Sequence, residues 1–352
     1  MQSRAEFLES QKVHRFKLKE MEKDEAILFE NKRRFVLFPI KYHEVYDAYK
    51  KREANFWTAE EMDSSKDIEQ WNSEGAITKD QKEFITRLLA VFMSQDFIDQ
   101  NLTELLSAEV QIPEAKCFYG FQIMVDNIHA EVYSLAIDAL IKDEKTRVTM
   151  FESIEDNSNI KAKMAYNETW FGEDSLYAEK LVAFAALQGL FNLTGYVSAF
   201  YLQSKDILPG FNKMNVEMFK DHTMHTDFQA LMFAHLKNKP NAKIIERIVT
   251  EAVELEKKAY DDLFLVEKIG LSKKDMDLFI EVVADTILES FGNEKHYNAS
   301  NPFPFMEGVE LPGQSNSFEK KVSDYQKAGD MAKAEKENKA KADDAFAFNE
   351  DF

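Results

Sequence analysis

The chain has 352 residues, 44 Lys+Arg against 63 Asp+Glu, a formal net charge of −19 and a pI near 4.9. That acidity argues against nucleic acid or an anionic membrane as main partner, and the single Cys117 excludes a disulfide framework or a Cys-rich zinc module. Glycine (11) and proline (7) stand at about half their usual frequency or less, so long helices with few breaks are expected: a soluble, cytoplasmic, all-α protein.

In chain order, residues 1–30 read as a charged helical arm, without the apolar run of a signal peptide. An ordered domain follows from 31 to about 310. Thr58 and Glu61 have the spacing of a capping box. From Thr78 the apolar residues recur at helical spacing, which predicts helices at about 78–109, 113–142, 145–154, 158–168, 176–204, 213–236, 240–268 and 274–291. Pro113, the Leu208-Pro209-Gly210 break, Pro240 and Gly270 punctuate them.

The stretch Leu181 to Ser204 carries no charge over 24 residues, long enough to cross a bilayer. Gln188, Asn192, Thr194 and Gln203 interrupt it, and its flanks show no positive bias. A helix buried on all sides at the centre of a bundle is the better reading. Residues 311–352 differ: Ala332 to Asp344 is Ala, Lys, Glu and Asp apart from Asn338, a composition that cannot bury a core. Phe346, Phe348 and Phe352, with Asp351, then end this stretch as a candidate peptide for a partner's groove on a flexible tether.

Three windows place metal-type side chains on single helix faces. Asp126 and His129 stand three apart, as do His222 and His225, with Asp221 beside them. Gln188 lies in the uncharged helix, and Gln95, Asp96 and Asp99 on another. Pairs at i, i+3 from two helices, with single polar ligands from two others, are the layout of ferritin-like metal bundles. One Asp-x-x-His alone would signify a hydrogen-bonded core histidine; two such windows point to a buried polar centre.

Several stretches carry a more specific signal. Arg33 to Ile40 (RRFVLFPI), Phe56 to Glu61 (FWTAEE), Cys117 to Ile123 (CFYGFQI), Val182 to Ala186 (VAFAA), Asn301-Pro302-Phe303 and Phe318 to Val322 (FEKKV) resemble the small subunit of eukaryotic class I ribonucleotide reductase. The resemblance runs from about residue 20 to 352. It implies a ferritin-like helical bundle, a dimer, and a complex with the large catalytic subunit. It also implies a di-iron centre and a tyrosyl radical at Tyr133, four residues after His129. Trp57, His129 and Asp221 match the family's radical-transfer chain, and Tyr325 the tyrosine near the tail.

The ligands depart from the family pattern of one Asp or Glu, Glu-x-x-His, a lone Glu, and Glu-x-x-His. Asp126 shortens one glutamate, Gln188 replaces the lone one, and His222 replaces another. The first ligand position falls on Gln95, with Asp96 one residue, or about 100°, away. Four carboxylates normally balance two ferric ions, and hard iron prefers anionic oxygen. A normal di-iron cofactor is therefore not expected. His129, His222, His225 and Asp126 leave open a single Zn²⁺, Fe²⁺ or Mn²⁺, or a metal-free hydrogen-bonded centre. Asn293-Glu294-Lys295 and Ser323 to Ala328 resemble the auxiliary small subunit of some fungi, which has lost ligands and pairs with a competent paralogue. The expectation is an auxiliary subunit of that kind, with an active radical subunit on an altered metal set as the alternative.

Overall fold

The computed structural model describes residues 2–314, apart from 32, 33, 35, 156, 263 and 264; for 94–100, 155 and 260–262 it describes the backbone alone. Met1–Gln314 forms one compact unit. Of the tail expected from 311, residues 311–314 belong to this unit, with the Gly313 N–H donating to Asp227 (2.9 Å); Tyr325, Phe346, Phe348, Asp351 and Phe352 lie outside the described residues.

Among the described residues there are twelve α-helices and no strand. They are α1 (Arg4–Met21), α2 (His43–Ala54), α3 (Ser65–Asn72), α4 (Lys79–Glu109), α5 (Pro113–Leu140), α6 (Glu144–Glu155), α7 (Ser158–Trp170), α8 (Tyr177–Leu190), α9 (Leu193–Gln203), α10 (Pro209–Ala234), α11 (Ala242–Asp262) and α12 (Lys273–Ser290). The expected all-α ferritin-like bundle is the fold observed. Every residue of α8 is buried, against α10, α11, α12 and α4. The apolar stretch Tyr177–Gln203 thus lies inside the protein, its most apolar window wholly buried. A buried Leu, Val or Phe contributes about 1.5–3 kcal/mol, so α8 alone anchors the bundle.

Three boundaries differ from the periodicity; in one, the helix expected over 240–268 is α11, ending at Asp262, with a separate 3₁₀ turn at Val266–Ile269. The stretch expected as one helix over 176–204 breaks at Asn192, which adopts φ +68°. The cause is Glu256 of α11, fully buried, whose carboxylate accepts hydrogen bonds from the backbone N–H of Asn192 (3.3 Å) and Thr194 (3.2 Å) and pairs with Lys163 (2.7 Å). A buried carboxylate must find partners, and a helix break exposes the backbone donors that satisfy it. Similarly, α10 begins at Pro209, ahead of the expected 213, because Asp67 of α3 caps it. Its carboxylate accepts from the N–H of Gly210 (3.0 Å) and Phe211 (2.7 Å). A Cβ on Gly210 would lie 2.1 Å from the Asp63 carbonyl, so only glycine fits. Helices α2 and α3 are too short and polar for periodicity to reveal. At Thr58 the expected capping box is present, opening a short 3₁₀ turn, Ala59–Glu61.

The expected arm is helix α1. Its Arg15 makes a two-pronged pair with buried Glu179 of α8 (2.8 Å each), and Arg4 donates to Thr169.

Candidate radical-transfer and metal centre

The centre sits where α2, α5, α8, α9 and α10 meet. Helix α5 opens with Pro113 at its first position, where the missing N–H is not needed. It buries Phe118, Gln122, Val125, Asp126, His129, Val132, Tyr133, Ala136 and Ile137, a 3.6-residue stripe that faces inward. That stripe delivers Asp126, His129 and Tyr133. On α10 the buried set includes Asn215, Asp221, His222 and His225, and α8 adds Gln188.

The best-defined part of the centre is built around one oxygen. Asp221 Oδ2 lies 3.0 Å from Trp57 Nε1, 2.9 Å from His129 Nε2 and 2.8 Å from an Arg52 guanidinium nitrogen. Trp57 stacks on His129 with centroids 5.7 Å apart and planes 15° from parallel. The carboxylate therefore fixes the proton of His129 on Nε2 and leaves Nδ1 as its lone-pair nitrogen. Trp57, His129 and Asp221, expected as a chain from the resemblance, are in direct contact.

Arg52 was not foreseen. Its sequence, Lys50-Lys51-Arg52-Glu53, reads as a solvated face, yet Arg52 is fully buried. It lies over the Phe121 ring at 5.6 Å. Burial pulls its pKa down, while the charges of Asp221 and then Asp126 pull it back up. A guanidinium keeps its proton under such opposing influences, so the centre contains a permanent cation. One signal existed: Val45, Ala48 and Arg52 are the buried residues of α2, at i, i+3 and i+7.

The other side of the centre is poor in partners. Gln188 Oε1 lies 3.3 Å from His225 Nδ1, whereas His225 Nε2 and both ring nitrogens of His222 are buried without a hydrogen-bond partner. Burial pushes the pKa of both histidines well below the ordinary range. For His222 the neighbouring His129 and Arg52 add to this, and for His225 Arg52 and then His222 do. Both rings are neutral near pH 7. Among the described residues, no group of three His, Cys, Asp or Glu side chains is placed to hold a metal ion. The side chain of Asp96 lies outside the described residues.

Tyr133 is fully buried, its hydroxyl 3.4 Å from Asn215 Oδ1, and its ring stacks on Phe92 at 5.0 Å. Phe92 stacks on Tyr196 (4.9 Å), Tyr196 meets His222 (5.3 Å), and His222 stacks on His129 (5.6 Å). An unbroken row of rings joins Tyr133 to Trp57. Phe92 and Tyr196 were not singled out from sequence, because aromatic residues at helical spacing look like ordinary core.

The family model for the ribonucleotide reductase small chain matches residues 34–302. The chain belongs to the ribonucleotide reductase small-chain family. It is 49% identical over 348 residues to ribonucleoside-diphosphate reductase small chain 1 of Saccharomyces cerevisiae, covering 98% of this chain and 86% of the relative. It is 51% identical over 336 residues to small chain 2 of the same yeast, covering 95% and 96%. Among solved structures, the ribonucleotide reductase Rnr4 homodimer from Saccharomyces cerevisiae superposes with a TM-score of 0.83 at 49% identity, over 92% of this chain and all of that one. The eukaryotic class I resemblance thus holds. The protein is a small subunit of ribonucleoside-diphosphate reductase, an oxidoreductase of deoxyribonucleotide synthesis.

Proposed function

We propose that this small subunit is metal-deficient and auxiliary: it dimerises with a competent small subunit, stabilises it, and helps it engage the large catalytic subunit. The observation that carries this reading is the buried Arg52 guanidinium paired with Asp221. A carboxylate-bridged metal pair does not fit the side chains described. A cation already pairs with Asp221 and feels the charge of Asp126, Gln188 is neutral, and His222 stands where the family has glutamate. The likeness to the yeast Rnr4 homodimer supports pairing between small chains. The tail proposal belongs here too: Phe346, Phe348 and Phe352, with acidic Asp351, form a peptide that docks on the large subunit, and Tyr325 lies on the tether leading to it. Seven residues bury enough aromatic surface for roughly micromolar affinity, suited to a reversible contact.

The test is reconstitution. The large subunit is assayed for ribonucleoside-diphosphate reduction with this chain alone, with a limiting competent small chain, and with both. Activity only when the competent chain is present, and more of it with both, is the expected result. Reduction by this chain alone, supplied with Fe²⁺ or Mn²⁺ and oxygen, sinks the proposal.

A second reading is an active radical subunit with an altered metal. The contact geometry of Trp57, His129 and Asp221 and the burial of Tyr133 favour it. Electron paramagnetic resonance after metal and oxygen decides, since a tyrosyl signal at Tyr133 belongs to this reading alone.

A further inference from the structure

We infer that Arg52 is the resident cation of this centre: it takes over part of the charge balance that metal ions would supply, and it weakens the binding of divalent cations even where ligands are restored. This rests on the auxiliary reading and deepens it. Lost ligands alone would leave a weak site, and a fixed guanidinium beside it weakens it further.

Three observations converge. Arg52 is fully buried on α2, with Nη1 3.4 Å from the Asn55 carbonyl and its plane over Phe121, so packing holds it and solvent does not draw it away. Its guanidinium reaches Asp221 at 2.8 Å, on the same oxygen that receives Trp57 and His129, and its charge also acts on Asp126. The guanidinium thus sets a positive charge against the Asp221 carboxylate and within electrostatic reach of Asp126. A divalent ion brought among His129, His222 and His225 meets that guanidinium in a water-poor interior, where like charges repel far more than in solvent. Removing the arginine without a replacement cation leaves Asp221 uncompensated, which explains why the cluster needs it.

The test uses the full-length chain and Co²⁺ as probe, followed by visible absorption and calorimetric titration. Four forms are compared: the unaltered chain, Gln188→Glu/His222→Glu, and that double variant with either Arg52→Met or Arg52→Lys. The expectation is no binding by the unaltered chain and weak binding by the double variant. Binding should be about tenfold tighter or more with Arg52→Met, and weak again with Arg52→Lys, which restores the charge but not the fork. Arg52→Gln keeps hydrogen-bond donors for Asp221 and loses only charge, so it carries the same comparison if the methionine variant does not fold. Equal Co²⁺ affinity with and without the Arg52 charge overturns the inference while leaving the auxiliary reading intact. Tight Co²⁺ binding by the unaltered chain removes the auxiliary reading itself.

Discussion

The two sides of the buried centre obey different rules. Around Asp221, Trp57 and His129 meet one carboxylate oxygen by hydrogen bonds and the Arg52 guanidinium meets it as an ion pair that balances its charge. Around His222 and His225, three buried ring nitrogens have no hydrogen-bond partner among the described residues, and Gln188 Oε1 lies 3.3 Å from His225 Nδ1. The first arrangement is what folding selects when a polar cluster must be stable without help. The second brings buried, neutral imidazoles together with few polar partners among the described residues.

Breaking the satisfied side should have the largest effect. Arg52→Met removes one member of a buried pair and should cost about 3–5 kcal/mol in denaturant unfolding, because Asp221 is left charged and uncompensated. If the cost is under about 1 kcal/mol, the pair is not what stabilises this side.

Acid should act through the orphaned side. His222 and His225 have folded pKa values well below the ordinary 6.5. As pH falls through 6.5 the unfolded chain takes up protons that the folded centre refuses, so the unfolded state is favoured. Stability is fully present above about pH 7 and should fall below 6.5, by up to about 1.4 kcal/mol per pH unit for each histidine. Unfolding free energies measured between pH 7.5 and 5.5 should show this slope, and His222→Leu should remove about half of it. An unchanged slope in that variant places the titration elsewhere.

The row of rings offers a smaller lever. A Cβ on Gly195 would lie 2.6 Å from Leu88 Cδ1 and 2.7 Å from the Phe92 ring. Gly195→Ala should cost about 1–3 kcal/mol and displace Phe92 from between Tyr133 and Tyr196, visible as altered near-ultraviolet circular dichroism. The smallest effect belongs to His222→Leu at pH 7.5. Replacing an unpartnered polar ring by an apolar chain should be neutral or stabilising by up to about 1 kcal/mol. A loss above about 2 kcal/mol would mean that His222 has a bound partner, a water or an ion.

The sequence made much of this legible, and the gaps have physical reasons. Helical periodicity found α5 and α12 closely, because each buries one continuous stripe, and it placed α4 to within a residue at either end. It ran α8 and α9 together, because the break at Asn192 is imposed by Glu256, sixty-four residues on, and no local signal marks it. Resemblance brought Trp57, His129 and Asp221 together before any coordinate did. It passed over Arg52, since a basic residue among Lys50, Lys51 and Glu53 looks solvated, and only its register on α2 places it inward. Altered residues at expected ligand positions are easy to see in a sequence; a buried arginine on another helix is not.

The central claim is that no metal pair assembles here, and metal content tests it most directly. The full-length chain should be purified after production in iron- and manganese-replete medium, then incubated with Fe²⁺ and oxygen, and its bound metal counted by plasma mass spectrometry. The account predicts well under one metal ion per chain. Two ions per chain, retained through gel filtration, would contradict it.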